Sequence, residues 1–422
     1  MTKTQDTATV IAMVAEGFFS RLSFGLISFA LPLYAYHQLG MSLVEIGFLT
    51  SLSLTISILL KPVFGLLADR FGFKRTLAAA IGVRSLVACL LIFAAVPWHL
   101  YLIRAIYGSS KSMRDPVVNA LIAESGGKKR IASSFAWYQT AKSMAGSGGK
   151  ALAGILLTLT ASNFAAVFGI AFLLSILPLL AVIRFVRPDQ PTAYKPDKPE
   201  QIDRTQETAS SKFPLKSNQQ PGLLPFVILG GLINGTAYML GGLFPILATE
   251  YAGLSEAQTG MIYMASSAII LFSGPLFGWL ADHVSHKLVL SLRSVANIAS
   301  SIIYLVAPTL AGVLIGRAVD DLGKSAYRPA WGALMGKVSD FEPQRRARIM
   351  SWMTVGEDLG EILGPIFAGF LWSAYGIAVL LIGRAIIAAA VEVYAVWVSR
   401  QLLQSEVHPH PRPIVQVDGK SS

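Results

Sequence analysis

The chain has 422 residues, of which 53% are hydrophobic and only 14% charged, and its formal net charge is +11. A soluble domain carries about 25% charged residues, so this composition excludes an ordinary soluble enzyme or binding domain and points to an integral membrane protein. The Lys and Arg surplus is dispersed through short loops between apolar runs, so no nucleic-acid partner is expected.

Taken in chain order, the apolar runs give twelve membrane spans. The first six fall at about 9–36, 43–66, 76–97, 100–122, 132–157 and 164–186, and the last six at about 222–247, 258–281, 288–307, 310–335, 348–373 and 377–400. Uncharged stretches such as Asn163–Ile183 and Ala257–Ala281 reach the roughly 20 residues a helix needs to cross a bilayer. Residues 187–221 are rich in Pro, Lys, Asp, Gln and Ser and read as a solvated, poorly ordered linker. The expected organisation is therefore a half at 1–186, a cytoplasmic linker at 187–221, a second half at 222–402 and a disordered cytoplasmic tail at 403–422. The single cysteine, Cys89, lies in an apolar run and leaves no disulfide to form.

Orientation follows from charge. One set of loops carries Arg70, Lys74, Arg75, Lys128, Lys129, Arg130, Lys287, Lys337, Arg345 and Arg346, whereas the alternating loops near His37, His99, Ser162, Glu250, Pro308 and Ala374 carry no Lys or Arg. The positive-inside rule then places both termini and the linker in the cytoplasm. The seven tryptophans fall near span ends, as interfacial aromatic belts do, which leaves Tyr107, Tyr238 and Tyr327 as candidates for a cavity wall.

The chain also states one string twice. Pro62 to Leu77 reads PVFGLLADRFGFKRTL and Pro275 to Leu290 reads PLFGWLADHVSHKLVL, so each residue maps 213 positions onward. The same shift carries Arg104 onto Arg317 and Lys111 onto Lys324; a shift of 215 carries Trp137 onto Trp352, Gly149 onto Gly364 and Gly154 onto Gly369. Two parallel copies of a unit this long in an apolar chain predict an all-α membrane protein with twelve transmembrane helices in two six-helix halves related by an internal repeat.

Within the string, glycine permits close helix approach, an acidic group can sit against a neighbouring helix N-terminus, and tandem basic residues anchor at lipid headgroups. The run Gly65 to Arg75, with Asp69, Arg70 and Gly72, resembles the loop signature of the major facilitator superfamily between its second and third helices. The second copy keeps Gly278, Asp282 and Lys287 but lacks the second glycine and the tandem Arg. The resemblance implies a gating latch formed by Gly65, Asp69, Arg70, Gly72 and Arg75, with Asp282 as the weaker counterpart, and a drug:proton antiporter-like transporter. It also places Arg104 where the superfamily has an arginine in helix four.

Ionisable side chains inside a bilayer cost about 2.5–3.5 kcal/mol each on insertion scales and tend to be functional or paired. Spans four and five hold Arg104, Lys111, Arg114, Lys142 and Lys150 against Asp115; spans ten and eleven hold Arg317, Lys324 and Arg328 against Asp320, Asp321, Glu357, Asp358 and Glu361. Arg317 with Asp320 or Asp321 lies at helical pairing distance. The sharpest cluster is Gly356 to Pro365, which puts Glu357, Asp358 and Glu361 on two turns, with Glu357 roughly 14 Å and Glu361 roughly 20 Å deep. Two readings stand: one carboxylate exchanges a proton during transport, or the group forms fixed ion pairs with Lys142, Lys111 or Lys324. Gly360 to Pro365 also resembles the antiporter motif of the superfamily's fifth helix, although here it lies in span eleven and span five has Lys150 in place of the proline. Arg104, Lys111, Tyr107, Tyr238, Tyr327 and Lys324 are the expected substrate-cavity residues. Glu16 in span one and Arg84 in span three are expected to snorkel to an interface.

These features predict no enzyme and no cofactor or metal. They predict a monomeric secondary active transporter of the plasma membrane, the inner membrane of a bacterium, with protons, membrane lipids and a small molecule as partners. Proton-coupled efflux of an amphiphile is the first expectation. Transport of a small organic anion by the cationic spans four and five, or a non-transporting sensor or scaffold, are the alternatives.

Overall fold

The computed structural model describes residues 3–125, 127–185, 222–280, 283, 286–340 and 345–407. Its described residues are almost entirely helical: α1 (Lys3–His37), α2 (Leu43–Phe71), α3 (Phe73–Ile92), α4 (Pro97–Ser125), α5 (Gly127–Leu159), α6 (Phe164–Phe185), α7 (Leu223–Tyr238), α8 (Glu256–Leu280), α9 (His286–Val306), α10 (Leu310–Asp340), α11 (Arg346–Tyr375) and α12 (Ile377–Val407). A short helical turn, Phe244–Ile246, and a π-helical turn, Leu247–Tyr251, extend α7 towards α8. The expected linker and most of the tail lie outside the described residues, and α12 runs to Val407, past the expected boundary at 402.

Six stretches are long and apolar enough to cross a membrane by length and composition: Met13–His37, Leu43–Ala68, Phe73–Ile92, Phe164–Arg184, Val289–Val306 and Ile377–Arg400. Helices α4, α5, α10 and α11 carry the embedded charges. Helices α1–α6 pack mainly on one another and so do α7–α12; α2 on α11 and α5 on α8 make the extensive contacts between these two groups. The largest hydrophobic cluster joins both groups near the α1–α2 connection, from Leu26 and Phe29 to Leu243, Phe244 and Leu380.

Local signals set the helix ends. Ser42 and Glu45 form a capping box at the start of α2, with Glu45 accepting from the Ser42 amide at 2.8 Å and Ser42 Oγ accepting from the Glu45 amide at 3.3 Å. The repeat-related pair, Ser255 and Gln258, caps α8 in the same way at 2.9 and 3.2 Å. Between α2 and α3 a single residue, Gly72, ends one helix and starts the next. Its φ of 90° is a left-handed conformation that glycine adopts without strain.

Candidate functional site

The two helix groups meet along two glycine-lined seams at the end of the molecule that carries the 38–42 and 160–163 connections, here the loop end. A Cβ on Gly47 of α2 would lie 3.0 Å from the carbonyl carbon of Pro365 in α11; a Cβ on Gly260 of α8 would lie 3.0 Å from Cα of Ala151 in α5. Gly47 maps onto Gly260 by the 213-residue shift, and Lys150, which also touches Gly260, maps onto Pro365 by the 215-residue shift. Likewise Gly154 meets Glu256 and Gly369 meets Leu43, another matched pair of contacts. The seams are thus the same contact made twice. Glycine is required there because the backbones themselves touch.

Polar contacts across the seams stay on the same side. Ser51 Oγ donates to the Ile362 carbonyl at 2.6 Å, Ser162 Oγ to Glu256 at 3.0 Å and the Ala257 amide to Thr158 Oγ1 at 3.0 Å. His37 meets Glu250 at 2.9 Å, and Ser267 bonds Ser147. The Lys150 ammonium sits 3.9 Å from the centre of the Tyr263 ring. Lys150, standing where the antiporter-like motif has proline, is therefore a seam residue. At the opposite, linker end the surfaces part: a Cβ on Gly65 would meet nothing within 4 Å, and Val63 and Leu66 are exposed. Among the described residues, the groups are joined at the loop end, and towards the linker end Gly65 of α2 meets nothing across from it.

Below the seams, the first group encloses a polar cavity lined by Arg21, Arg84, Tyr107, Ser110, Lys111, Arg114, Asp115 and Lys142. Its floor is an ion pair: Arg114 donates to both oxygens of Glu16 at 2.8 and 2.7 Å, and Glu16 is fully buried. Glu16 thus does not snorkel, since a fork-shaped guanidinium inside the protein offers it two charge-assisted bonds. Arg84 is buried as well, donating to Ser20 Oγ at 2.7 Å and to Tyr107 Oη at 3.1 Å. The Tyr107 ring stacks on Phe24 with centroids 5.2 Å apart. Arg104 caps the Leu49 and Thr50 carbonyls of α2 at 3.1 and 3.2 Å, with its guanidinium carbon 5.5 Å from the centre of the Tyr107 ring. Lys142 stands among these first-group charges, interacting with Arg114, Arg21 and Asp115.

The second group holds a denser charge cluster. Asp320 accepts from Lys324 at 2.6 Å, from Arg384 at 2.8 Å and from Arg293 at 3.3 Å; Asp321 accepts from Arg317 at 3.1 Å and Lys324 at 2.9 Å. Lys324 thus finds its carboxylates on its own helix. Arg384 also donates to the Thr236 carbonyl, Ser300, Ser301 and Asn297, tying α7, α9, α10 and α12 together. Neither Arg293 nor Arg384 stands out in the residue spacing, although each is a lone cation in an otherwise uncharged run.

The three α11 carboxylates are half-buried and separate in role. Glu357 accepts from Tyr327 Oη at 2.9 Å, and its backbone carbonyl accepts from Asn234 at 3.2 Å. The Trp331 indole stacks on Tyr327 and packs on Gly230 beside Glu357; at 2% exposure it is a core residue and not part of an interfacial belt. Asp358 instead interacts electrostatically with Lys61 of α2 and Lys111 of α4, and Glu361 with Lys111, Asp358, Arg328, Lys61 and Tyr238. The repeat-related pair Lys142 and Glu357 is not brought together.

Of the gating residues, Arg70 and Arg75 are exposed, Gly65 is free of close neighbours and Gly72 makes the α2–α3 turn. The Asp69 side chain and all of Asp282 lie outside the described residues. Lys74 donates to the Ile183 carbonyl near the end of α6 at 3.0 Å, a structural anchor. The described residues contain no cluster of His, Cys, Asp and Glu that could hold a metal ion.

Comparison with known proteins agrees with this architecture. Multidrug resistance protein MdtG from Rahnella sp. (strain Y9602) is 26% identical over 400 residues, covering 90% of each chain. Multi-drug resistance efflux pump PmrA from Streptococcus pneumoniae (strain ATCC BAA-255 / R6) is 26% identical over 380 residues, covering 85% of this chain and 88% of its own. Among solved structures, nucleoside transporter NupG superposes with a TM-score of 0.72 at 15% identity, over 93% of this chain and 98% of its own. A bacterial homologue of the human lysosomal transporter Spinster, in an inward-facing and occupied conformation, gives 0.71 at 15% identity over 96% and 98%. The sequence model described as Major Facilitator Superfamily matches residues 16–237 and 226–416. The chain is therefore a multi-pass integral membrane transporter, not an enzyme, and it belongs to the Major Facilitator Superfamily.

Proposed function

We propose that the protein is a secondary active transporter that exports an amphiphilic small molecule in exchange for protons by alternating access. The observation that carries this reading is the one-sided seam: two helix groups closed by matched glycine contacts at the loop end and parted at the linker end. Two groups so joined form a rocker, with residues 1–186 and 222–402 as its arms, 187–221 as the cytoplasmic linker and 403–422 as a cytoplasmic tail. Closing the linker end brings the Gly65–Arg75 loop against α11, where Asp69 acts as the latch. With termini and linker cytoplasmic, the present conformation opens inward. The relatives named for multidrug resistance and efflux support export, and Asp358 and Glu361, which interact electrostatically with Lys61 and Lys111, are the groups we assign to proton exchange. The rocker works as a monomer in the plasma membrane, the inner membrane of a bacterium.

The test is flux in sealed proteoliposomes. An outward-directed amphiphile should move faster when an opposing proton gradient is imposed, and protons should flow in the opposite direction. Substrate movement indifferent to the pH gradient would remove proton coupling, and no movement of any amphiphile would remove export.

A further inference from the structure

The first-group cavity contains two guanidinium groups without a carboxylate partner. Arg84 bonds only neutral hydroxyls, those of Ser20 and Tyr107, and Arg21 makes no ion pair within 4.0 Å among the described residues. Both instead lie against one aromatic ring: the Arg21 guanidinium carbon is 4.9 Å and that of Arg84 5.4 Å from the Phe24 centroid. Phe24 is in turn stacked on Tyr107, so both cations lie over the faces of one aromatic pair. Of the acidic groups nearby, Glu16 is held by Arg114 in a two-pronged pair, and Asp115, 3.4 Å from Arg114, also interacts with Arg21 and Arg84 at longer range.

Space for Arg21 is built in. A Cβ on Gly146 would come within 3.2 Å of Arg21 Cγ and 3.3 Å of Nε, so any larger residue would push the side chain off its place. In the second copy the 215-residue shift puts Glu361 at this position and Glu357 opposite Lys142. The frame that carries acid in the second group thus carries space and cation in the first. Asp115 is a single carboxylate among five cations in the cavity lining, and an embedded surplus of cations is expensive unless water or a ligand supplies the counter-charge. Paired guanidiniums present parallel donors that match carboxylate, sulfonate or phosphonate oxygens.

We infer that Arg21 and Arg84, held over Phe24 and Tyr107, bind the anionic headgroup of the transported amphiphile. This rests on the transporter reading above and names its substrate class: an acidic amphiphile. The same headgroup chemistry is offered by an anionic lipid entering from the bilayer, and the test separates the two sources.

The experiment measures binding to the full chain in phosphatidylcholine nanodiscs by calorimetry. The probes are 2-naphthalenesulfonate, its neutral sulfonamide, and (2-naphthylmethyl)trimethylammonium. The sulfonate should bind at least tenfold more tightly than the sulfonamide. Arg21→Gln and Arg84→Gln should each weaken sulfonate binding about tenfold, the loss of one charge-assisted pair, while leaving sulfonamide binding alone. Arg84→Lys, which keeps the charge but not the fork, should recover part of the affinity and so separate recognition from misfolding. Adding phosphatidylglycerol to the nanodiscs identifies the source: competition with the sulfonate means that a lipid headgroup also occupies the site, and no competition means that the soluble amphiphile is its ligand. Equal binding of sulfonate and sulfonamide, tighter binding of the ammonium probe, or full sulfonate affinity in both Gln variants would overturn the inference. Sulfonate that binds as expected yet is not moved in proteoliposomes would instead count against transport while leaving the anion site in place.

Discussion

Replacing Gly47 by alanine tests whether the loop-end seam holds the present conformation. The added Cβ would sit 2.5 Å from the Pro365 carbonyl oxygen and 3.1 Å from Cα of Ile366, well inside the 3.4–4 Å of ordinary contact. The obstacle is backbone, which cannot rotate away as a side chain could, so α2 and α11 must separate locally. Overpacking of this kind costs about 1–3 kcal/mol. Alanine also raises helix propensity by about 1 kcal/mol, but in every conformation alike, so that gain cancels from the equilibrium between them. A penalty confined to the loop-closed conformation then shifts the population about 5- to 150-fold towards the loop-open one. The readout is labelling of a Ser51→Cys reporter, in a Cys89→Ser background, by a membrane-impermeant maleimide; Ser51 is buried in the α2–α11 seam, where its hydroxyl donates to the Ile362 carbonyl. Labelling should accelerate at least fivefold, the lower bound of that range. Gly260→Ala, the repeat-related change, should act in the same direction. Gly65→Ala should not accelerate labelling, because its Cβ meets nothing here. Unchanged labelling in folded Gly47→Ala and Gly260→Ala proteins would refute the argument that the seam sets the equilibrium.

Other variants probe individual side chains. Asp69→Asn should leave abundance near normal and slow transport by removing the latch charge; wild-type turnover at equal protein level would end that role. Glu16→Gln takes from Arg114 its two-pronged carboxylate partner and leaves the longer pair to Asp115, so thermal stability in detergent should fall by the equivalent of about 1.5–3 kcal/mol. Adding Arg114→Met should restore part of it, and an unchanged melting temperature in the single variant would show that the pair carries no stability. Glu361→Gln should stay folded and exchange substrate without responding to a pH gradient, whereas Glu357→Gln, which keeps an acceptor for Tyr327, should remain coupled. Gradient-driven accumulation by Glu361→Gln would remove it from proton exchange.

What the sequence discloses and what it withholds divide along physical lines. The seam glycines can be read from the chain because close backbone approach tolerates almost nothing else, and their spacing is the repeat itself. The Ser42 and Ser255 caps follow from local chemistry for the same reason. Embedded charges are also visible, since each interrupts an apolar run. Their partners are not. Glu16 is 98 residues from Arg114 and Arg384 is 148 from Thr236, and helices apolar on every face give no periodicity to say which side turns inward. The expected snorkelling of Glu16 and Arg84 failed because interior partners were available. Trp331 lies near a span end like the other tryptophans, but the absence of a side chain on Gly230 lets its ring enter the core.

The single-residue turn at Gly72 leaves no slack between α2 and α3. One extended residue spans at most about 3.6 Å, so any displacement of the α2 end must appear as rotation about the two dihedrals of that glycine. Rotation there swings α3, and Lys74 on its first turn pulls on the Ile183 carbonyl of α6, the last described helix before residue 187. The end of α2, the Gly72 hinge and the end of α6 are therefore coupled in series like the arms of a bell-crank. Force on the proposed latch would reach the end of α6 without passing through the bilayer core.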